Sequence, residues 1–227
     1  MGRNAHFFRV FINEHGEYGD VASVVVDEGR HIPDSERITL TRKLATTETA
    51  FINDVATENI SIMHYQGEID FAGTVTLATA WLLAQLKAKP VTVLHGRGGG
   101  IPAWRESNLI WIQADLGTMP PWHFKKVPNA EEVERLTADE MKSVEHTMVW
   151  AWIDQSKGLI RARTFANDWE IPEAQGNGSG SMMLAAQLDR NIEIEHGEGS
   201  VIFTRAISSN YAAIGGRVKE DTERTRT

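Results

Sequence analysis

Apolar and polar positions alternate in short runs along most of this chain, and two stretches break the alternation. Phe7–Ile12, Val21–Val26, Glu48–Ile52 and Ile60–Tyr65 read as strands, rich in β-branched and aromatic residues. Pro33-Asp34-Ser35-Glu36 opens a helix that runs toward Leu44. The first break is Val75–Leu86, mostly Ala, Leu, Thr and Trp with no charge before Lys87. A helix that is apolar on nearly all sides belongs in an interior. Pro90 ends it, Val91–Leu94 is the next strand, Gly96–Gly100 is a turn, and Leu109–Ile112 is a strand with Trp111 inside it. Ala130–Lys142 reads as a charged, solvent-facing helix. Thr147–Ile153 and Leu159–Phe165 pair as a hairpin through Lys157-Gly158, with Trp150 and Trp152 on one face because strand side chains alternate. The second break is the apolar helix Met182–Leu188, followed by strands at Ile192–Ile194, Val201–Thr204 and Tyr211–Val218.

The two breaks belong to a repeat. Ala84-Gln85-Leu86 is followed by a β-type run and His95-Gly96-Arg97-Gly98; Ala186-Gln187-Leu188 is followed by another and His196-Gly197-Glu198-Gly199. Each half thus carries a helix, a strand and a glycine turn in that order, which predicts a duplicated α+β fold. In each half a curved sheet of short strands surrounds one apolar helix. The proline-bearing stretch Gly117–Pro128 is the expected boundary, giving an N-terminal domain at 1–117, a C-terminal domain at 118–218 and a charged, disordered tail at 219–227. Duplicated folds have a natural cleft between their halves, where small ligands sit.

Both apolar helices start from glycine-bearing loops, Asp70-Phe71-Ala72-Gly73-Thr74 and Gly176-Asn177-Gly178-Ser179-Gly180. The first turn of a helix exposes backbone N–H groups without internal partners and carries partial positive charge. Glycine lets a ligand approach that backbone closely. Two such mouths suit a carboxylate or another small anion. Thr74 and Ser179 also have the chemistry of plain N-caps. The glycine run at 96–100 is not a phosphate loop, since no Gly-Lys-Ser/Thr follows it.

Composition narrows the chemistry. The chain has 227 residues and a formal net charge of −8, which argues against non-specific nucleic-acid binding. It has no cysteine, which removes disulfides, thiolate nucleophiles and thiolate metal sites, and fits a reducing compartment. His95 and His196 lie about a hundred residues apart, without metal-ligand spacing, and are read as turn or core residues. No run reaches the roughly 18 apolar residues of a membrane helix, and Met1–Phe11 lacks a signal-peptide core. The expectation is a soluble cytoplasmic protein without a membrane or nucleic-acid partner.

The order Gly19-Asp20-Val21-Ala22-Ser23, Thr47-Glu48-Thr49-Ala50-Phe51, Glu68-Ile69-Asp70-Phe71-Ala72-Gly73, Gly178-Ser179 and Gly215-Gly216 resembles the phenazine-biosynthesis PhzF-like proteins, relatives of diaminopimelate epimerase. The resemblance spans most of residues 6–218. It implies two similar domains, each a barrel-like sheet around a central helix, with the active site between them. It also implies proton movement at carbon without cofactor or metal, and a homodimer. Glu48 falls on the family's catalytic glutamate, with Thr47 in place of the preceding serine. Gly73 and the Gly178-Ser179 pair fall on substrate-contacting backbone positions, beside Thr74 and Asn177. Two positions depart from the family: its histidine is Thr74 here and its aspartate is Ala174. The shortfall in length lies in the second half, around residues 120–150.

Without cysteine, the two-thiol acid–base pair of diaminopimelate epimerase is excluded. PhzF-like isomerisation resembles a one-base reaction, which Glu48 can supply if burial raises its pKa. Backbone N–H groups at the helix mouths would stabilise developing negative charge. Thr74 can hydrogen-bond but cannot carry protons near neutral pH as histidine does. The reading is therefore an isomerase acting on a small carboxylate-bearing molecule. The alternatives are a degenerate homologue that binds an anion or a partner without turnover, and a structural or dimerising protein.

Overall fold

The structure is a computed structural model that describes residues 5–225. In chain order it contains β1 (Ala5–Val10), β2 (Asp20–Val26), α1 (Asp34–Leu44), β3 (Glu48–Asp54), β4 (Asn59–His64), β5 (Gly67–Ile69), α2 (Gly73–Lys87), β6 (Val93–Gly96), β7 (Gly99–Glu106) and β8 (Leu109–Asp115). There follow β9 (His123–Lys126), α3 (Ala130–Glu134), β10 (Thr147–Asp154), β11 (Leu159–Ala166), β12 (Ile171–Ala174), α4 (Gly178–Leu188), β13 (Ile192–His196), β14 (Ser200–Ala206), β15 (Tyr211–Gly216), β16 (Val218–Glu220) and α5 (Thr222–Thr225). The chain divides into two compact units. Unit 1 takes Val21–Ala114 with the chain up to Val10 and from Gly216; unit 2 takes Phe11–Asp20 and Asp115–Gly215.

Within unit 1, β2 runs parallel to β3, β3 antiparallel to β4, β4 parallel to β6, and β6, β7 and β8 continue antiparallel, with β5 added on β4. Within unit 2, β9 runs parallel to β10, β10 antiparallel to β11, β11 parallel to β13, and β13, β14 and β15 continue antiparallel, with β12 added on β11. From β2 to β8 and from β9 to β15 the two connectivities are the same, helix for helix and strand for strand; unit 1 adds β1, β16 and α5. The correspondence reaches single residues. Adding 100 to every number in the β3–β4 register gives the β10–β11 register: Glu48↔His64 becomes Met148↔Thr164, and Ile52↔Ile60 becomes Trp152↔Ile160. Both hairpins slip at the same place, before Asp54 and before Asp154. Each aspartate then accepts a backbone N–H of the turn, from Thr57 and from Ser156, both at 2.9 Å. The turn closes through a left-handed residue in both, Gly158 at φ +74° and Glu58 at φ +56°.

The duplication is thus real, but its literal echo is out of register. Asn59 pairs with His95, and its counterpart Leu159 pairs with Glu193; His196 pairs with Ala162, three positions further along the ladder. His95 is exposed and His196 is fully buried.

Both apolar helices form the cores of their units. From Gly73 to Ala80 every residue of α2 is buried, with Leu82 and Leu83 beyond, and α2 packs on β1, β3 and β16. Buried threonines are tolerated because Thr76 and Thr79 donate their hydroxyls to the carbonyls of Ala72 and Val75, both at 2.7 Å. In α4, Met182, Leu184 and Ala185 are buried and the helix packs on β14; Ser181 back-bonds to Asn177 O at 2.5 Å, as Thr76 does to Ala72. Each helix ends on a left-handed residue, Ala88 and Asp189.

Several elements differ from the sequence expectation for identifiable reasons. The strand β9 lies inside the proline-bearing stretch read as a linker, pairing with β10 through backbone groups that need no apolar pattern. The charged helix expected over 130–142 stops after Glu134, because the Arg163 guanidinium takes the carbonyls of Val133, Glu134 and Leu136. The tail expected to be disordered carries β16, paired with β1 at Phe8↔Glu220 and Val10↔Val218, and then α5, with the Arg224 guanidinium 5.5 Å from the Phe7 ring. Its last two residues lie outside the described residues. In unit 1, Arg37 of α1 is fully buried; it donates to Asp27 Oδ2 at 2.6 Å, Asn53 Oδ1 at 2.7 Å and Ile32 O at 3.1 Å, and lies over the Phe51 ring at 4.6 Å.

Candidate active site

Glu48 is the first residue of β3 and is partly buried, opposite His64 of β4. The backbone on both sides of it is pinned by hydroxyls. Ser23 Oγ of β2 lies 2.7 Å from Thr46 Oγ1 and 2.8 Å from Thr49 Oγ1, and donates a longer bond of 3.5 Å to Glu48 O. Ser23 and Thr49 are fully buried, so these hydroxyls satisfy one another in place of water. Thr47, between the pinned residues, is exposed. Burial lowers the pKa of His64, which favours a neutral imidazole opposite the Glu48 position.

The two helix mouths are finished differently. Ala72 precedes α2 in an extended conformation and supplies no side-chain cap; Gly73 and Thr74, the first helical residues, are buried. Asn177 precedes α4, is 4 % exposed, and accepts Gly180 N–H on its Oδ1 at 2.8 Å. A Cβ at Gly180 would stand 2.3 Å from Asn177 Nδ2, so this cap requires glycine there. Asn177 Nδ2 donates to Thr164 Oγ1 at 3.2 Å, and Thr164 Oγ1 lies 2.8 Å from His196 Nε2. His196 Nδ1 faces Gln175 O at 3.3 Å. A carbonyl only accepts, so Nδ1 carries a hydrogen, and in the neutral ring Nε2 then accepts from Thr164. Burial, the dominant cause, with nearby Arg161 and Arg163, outweighs the Gln175 bond and pushes its pKa down to about 4.

Ser179 follows Gly178 in the first turn of α4, and its Oγ accepts the indole N–H of Trp122 at 2.9 Å. Ala174 ends β12 opposite Thr164. The predicted residues thus occupy three local settings: Thr47-Glu48 at the head of β3, Gly73-Thr74 at the start of α2, and Asn177-Gly178-Ser179 at the start of α4. Sequence reasoning missed Gly180, Thr164 and Trp122, and read His196 only as a turn or core residue. Neither Thr74 nor Ser179, the N-cap candidates of the sequence, is a cap: Asn177 caps α4 and α2 has no side-chain cap; the other partners are joined by strand pairing and packing that spacing does not reveal.

A cavity of about 200 Å³ in unit 1 lies beside the C-terminal half of α2, lined by Trp81, Ala84, Ala103, Trp104 and Ile110 among others; no predicted site residue lines it. Among the described residues no group of His, Asp and Glu is arranged to hold a metal ion, and no helix is long and apolar enough to cross a membrane.

No protein-family model matches the chain. Among solved structures it is similar to a phenazine biosynthesis PhzC/PhzF protein from Clostridium difficile, with a TM-score of 0.76 and 16 % identity over 96 % of this chain and 97 % of the other. A PhzF-family protein from Enterococcus faecalis gives 0.75 and 17 % identity over 96 % and 97 %. A hydroxyproline epimerase from Agrobacterium vitis gives 0.54 and 12 % identity over 96 % and 92 %. The fold is therefore PhzF-like, of the α+β epimerase type.

Proposed function

We propose that this protein is a PhzF-like isomerase in which Glu48 removes a proton from carbon in a small carboxylate-bearing molecule and returns it elsewhere on the same face. Thr47, Gly73, Thr74, Asn177, Gly178 and Ser179 bind the substrate, no cofactor takes part, and the working form is a cytoplasmic homodimer. The observation that carries the reading is the setting of Glu48. A partly buried glutamate heads a strand on which α2 packs, and buried hydroxyls fix the backbone around it. Fixing the base lowers the reorganisation that proton abstraction requires. The uncapped start of α2 offers N–H groups to a carboxylate or to the enolate formed from it. Likeness to the PhzF and epimerase structures supports the class of reaction.

A one-base shift on one face suits an allylic system. Glu48 takes the proton α to the carboxylate of a β,γ-unsaturated acid, the electron pair moves toward the carboxylate, and the same proton returns at the γ carbon. The test is isomerisation of a panel of small β,γ-unsaturated acids, starting with but-3-enoate, followed by NMR. The wild-type protein is expected to convert a member of the panel, and Glu48→Gln to lose about 10²–10⁴-fold in rate. Equal rates in the two proteins, or no conversion by either, would overturn the proposal. Thr74 and Ala174 in place of the family histidine and aspartate favour a second reading, anion binding without turnover. That reading predicts thermal stabilisation by a carboxylate with no conversion.

A further inference from the structure

We propose that the cavity beside the C-terminal half of α2 is a binding site for a small arylalkanoate, one aromatic ring on a short arm that ends in a carboxylate. The cavity measures about 200 Å³. An apolar cavity of roughly 150 Å³ is enough to take up benzene, so this space suits one ring with little to spare. Small residues open it: Ala80 and Ala84 on α2 and Ala103 on β7 stand where larger side chains would close the gap. Its aromatic lining is fixed in place. Trp104 stacks on the buried Trp111 across the β7–β8 pair, with ring centres 6.0 Å apart and planes 6° apart. Trp81 meets Phe8 of β1 edge-on at 5.5 Å and 61°. Each indole is thus held by a second ring before a ligand arrives, and little side-chain freedom is left to lose on binding.

The polar side of the cavity selects the ligand's head. Its polar lining residues, Gln85, Lys89 and Arg105, are all exposed and mark the side open to solvent. No aspartate or glutamate lines it, in a chain of net charge −8. Arg105 Nε donates to Ser107 O at 3.0 Å, which anchors the side chain at the β7–β8 turn. Among the described residues neither Arg105 nor Lys89 has an ion-pair partner. The last carbonyls of a helix carry roughly half an elementary negative charge, so one cation would do no more than neutralise the end of α2, and two leave a surplus. Lys87, in the last turn, is taken by Glu58 and adds nothing. Indole faces also attract cations, but a cationic ligand here would sit beside Lys89 and Arg105, whereas a carboxylate gains from both. Glu48 and the starts of α2 and α4 do not line this cavity, so the inference does not rest on the proton-transfer reading.

The test is calorimetric titration of the full chain with 3-phenylpropionate, its neutral amide 3-phenylpropanamide, the cation 3-phenylpropylamine, and propionate, which has the head without the ring. Wild-type protein is expected to bind the acid at least tenfold more tightly than the amine, with the amide between them, and not to bind propionate at this site. Lys89→Gln combined with Arg105→Gln, both at exposed positions, should weaken the acid at least tenfold and leave the amide within about threefold. Ala84→Leu fills the space and should abolish binding of acid and amide alike, with the fold retained by circular dichroism. If that variant does not fold, the surface double variant still decides. An acid no tighter than the amine, an acid whose affinity survives the double variant or the folded Ala84→Leu protein, or no binding of the acid at all would overturn the proposal. A wild-type dimer that Ala84→Leu dissociates, with none of the ring compounds bound, would show a second copy of the chain covering the cavity and would overturn it as well.

Discussion

Unit 1 and unit 2 have the same strand order and the same hairpin slip, but their polar side chains have gone separate ways. Glu48 on β3 corresponds to Met148 on β10, the bare Ala72 before α2 to the capping Asn177 before α4, and Thr74 to Ser179. Unit 1 keeps a buried Arg37–Asp27–Asn53 network and leaves its helix start uncapped. Unit 2 devotes His196, Thr164 and Asn177 to capping its helix and sets Trp122 on Ser179. Backbone pairing tolerates almost any side chain, so duplication preserved it. Side-chain chemistry was free to diverge once each copy had a core, and the polar networks of the two copies are different.

The largest expected effect separates the buried polar anchors of the two units. Removing one partner of a buried ion pair leaves an uncompensated charge, so Asp27→Ala should cost about 3–5 kcal/mol in denaturant unfolding. Burial alone would raise the Asp27 carboxyl, but the hydrogen bonds from Arg37, Ile32 and His31, together with the guanidinium charge, hold it below the usual range. Its contribution is therefore present above the unfolded carboxyl pKa and lost as pH falls through the folded one. The Arg161–Glu134 pair of unit 2 is different, because Glu134 is 57 % exposed and Arg161 keeps the carbonyls of Ala162, Glu195 and Gly197. Glu134→Ala should cost less than about 1 kcal/mol. Equal losses in the two variants would break the contrast.

Next comes pH. His196 is neutral in the fold and charges in the unfolded chain, so the unfolded state binds more protons between pH 6.5 and about 4. Stability from this group is complete above pH 6.5 and falls by about 1.4 kcal/mol per unit as pH drops toward 4, a total of about 3 kcal/mol. His196→Gln should remove that slope from a series of unfolding curves; an unchanged slope would contradict the neutral chain through Thr164.

A smaller effect tests the helix starts by exchange. Asn177→Ala removes a cap and should cost about 1–2 kcal/mol, while Ala72→Asn adds one and should gain about 0.5–1 kcal/mol. If the open start of α2 receives substrate, Ala72→Asn should also slow conversion, as the new side chain competes for the N–H groups. A more stable protein with undiminished rate would show that the α2 start is not used.

The sequence discloses what is local. The two apolar helices, the Lys157-Gly158 hairpin and the start of α1 after Pro33 follow from periodicity and turn residues and appear in the structure, with α2 and α4 extending back to Gly73 and Gly178. What was hidden depends on partners distant in the chain. The strands β5 and β12 are short and paired only along one edge, β9 is polar, and β7 begins Gly-Gly and contains Pro102, so none shows alternation. At the start of α4 the sequence points to Ser179 as cap, but Asn177 forms it, and His196 and Trp122 reach it through the β11–β13 pairing and an aromatic cage. The echo of His95 and His196 pointed to the true duplication by a false alignment, because identical short words fell three residues apart on equivalent ladders.

The central claim, a single base working on one face, is tested most directly by isotope transfer. With a substrate from the panel carrying deuterium at the α carbon, in ordinary water, Glu48 should hold the deuteron long enough to return part of it to the γ carbon. Mass spectrometry of the product should then find measurable deuterium at that carbon with the wild-type protein, and no product above background with Glu48→Gln. Product formed without any transferred deuterium, or formed equally well by Glu48→Gln, would contradict the account.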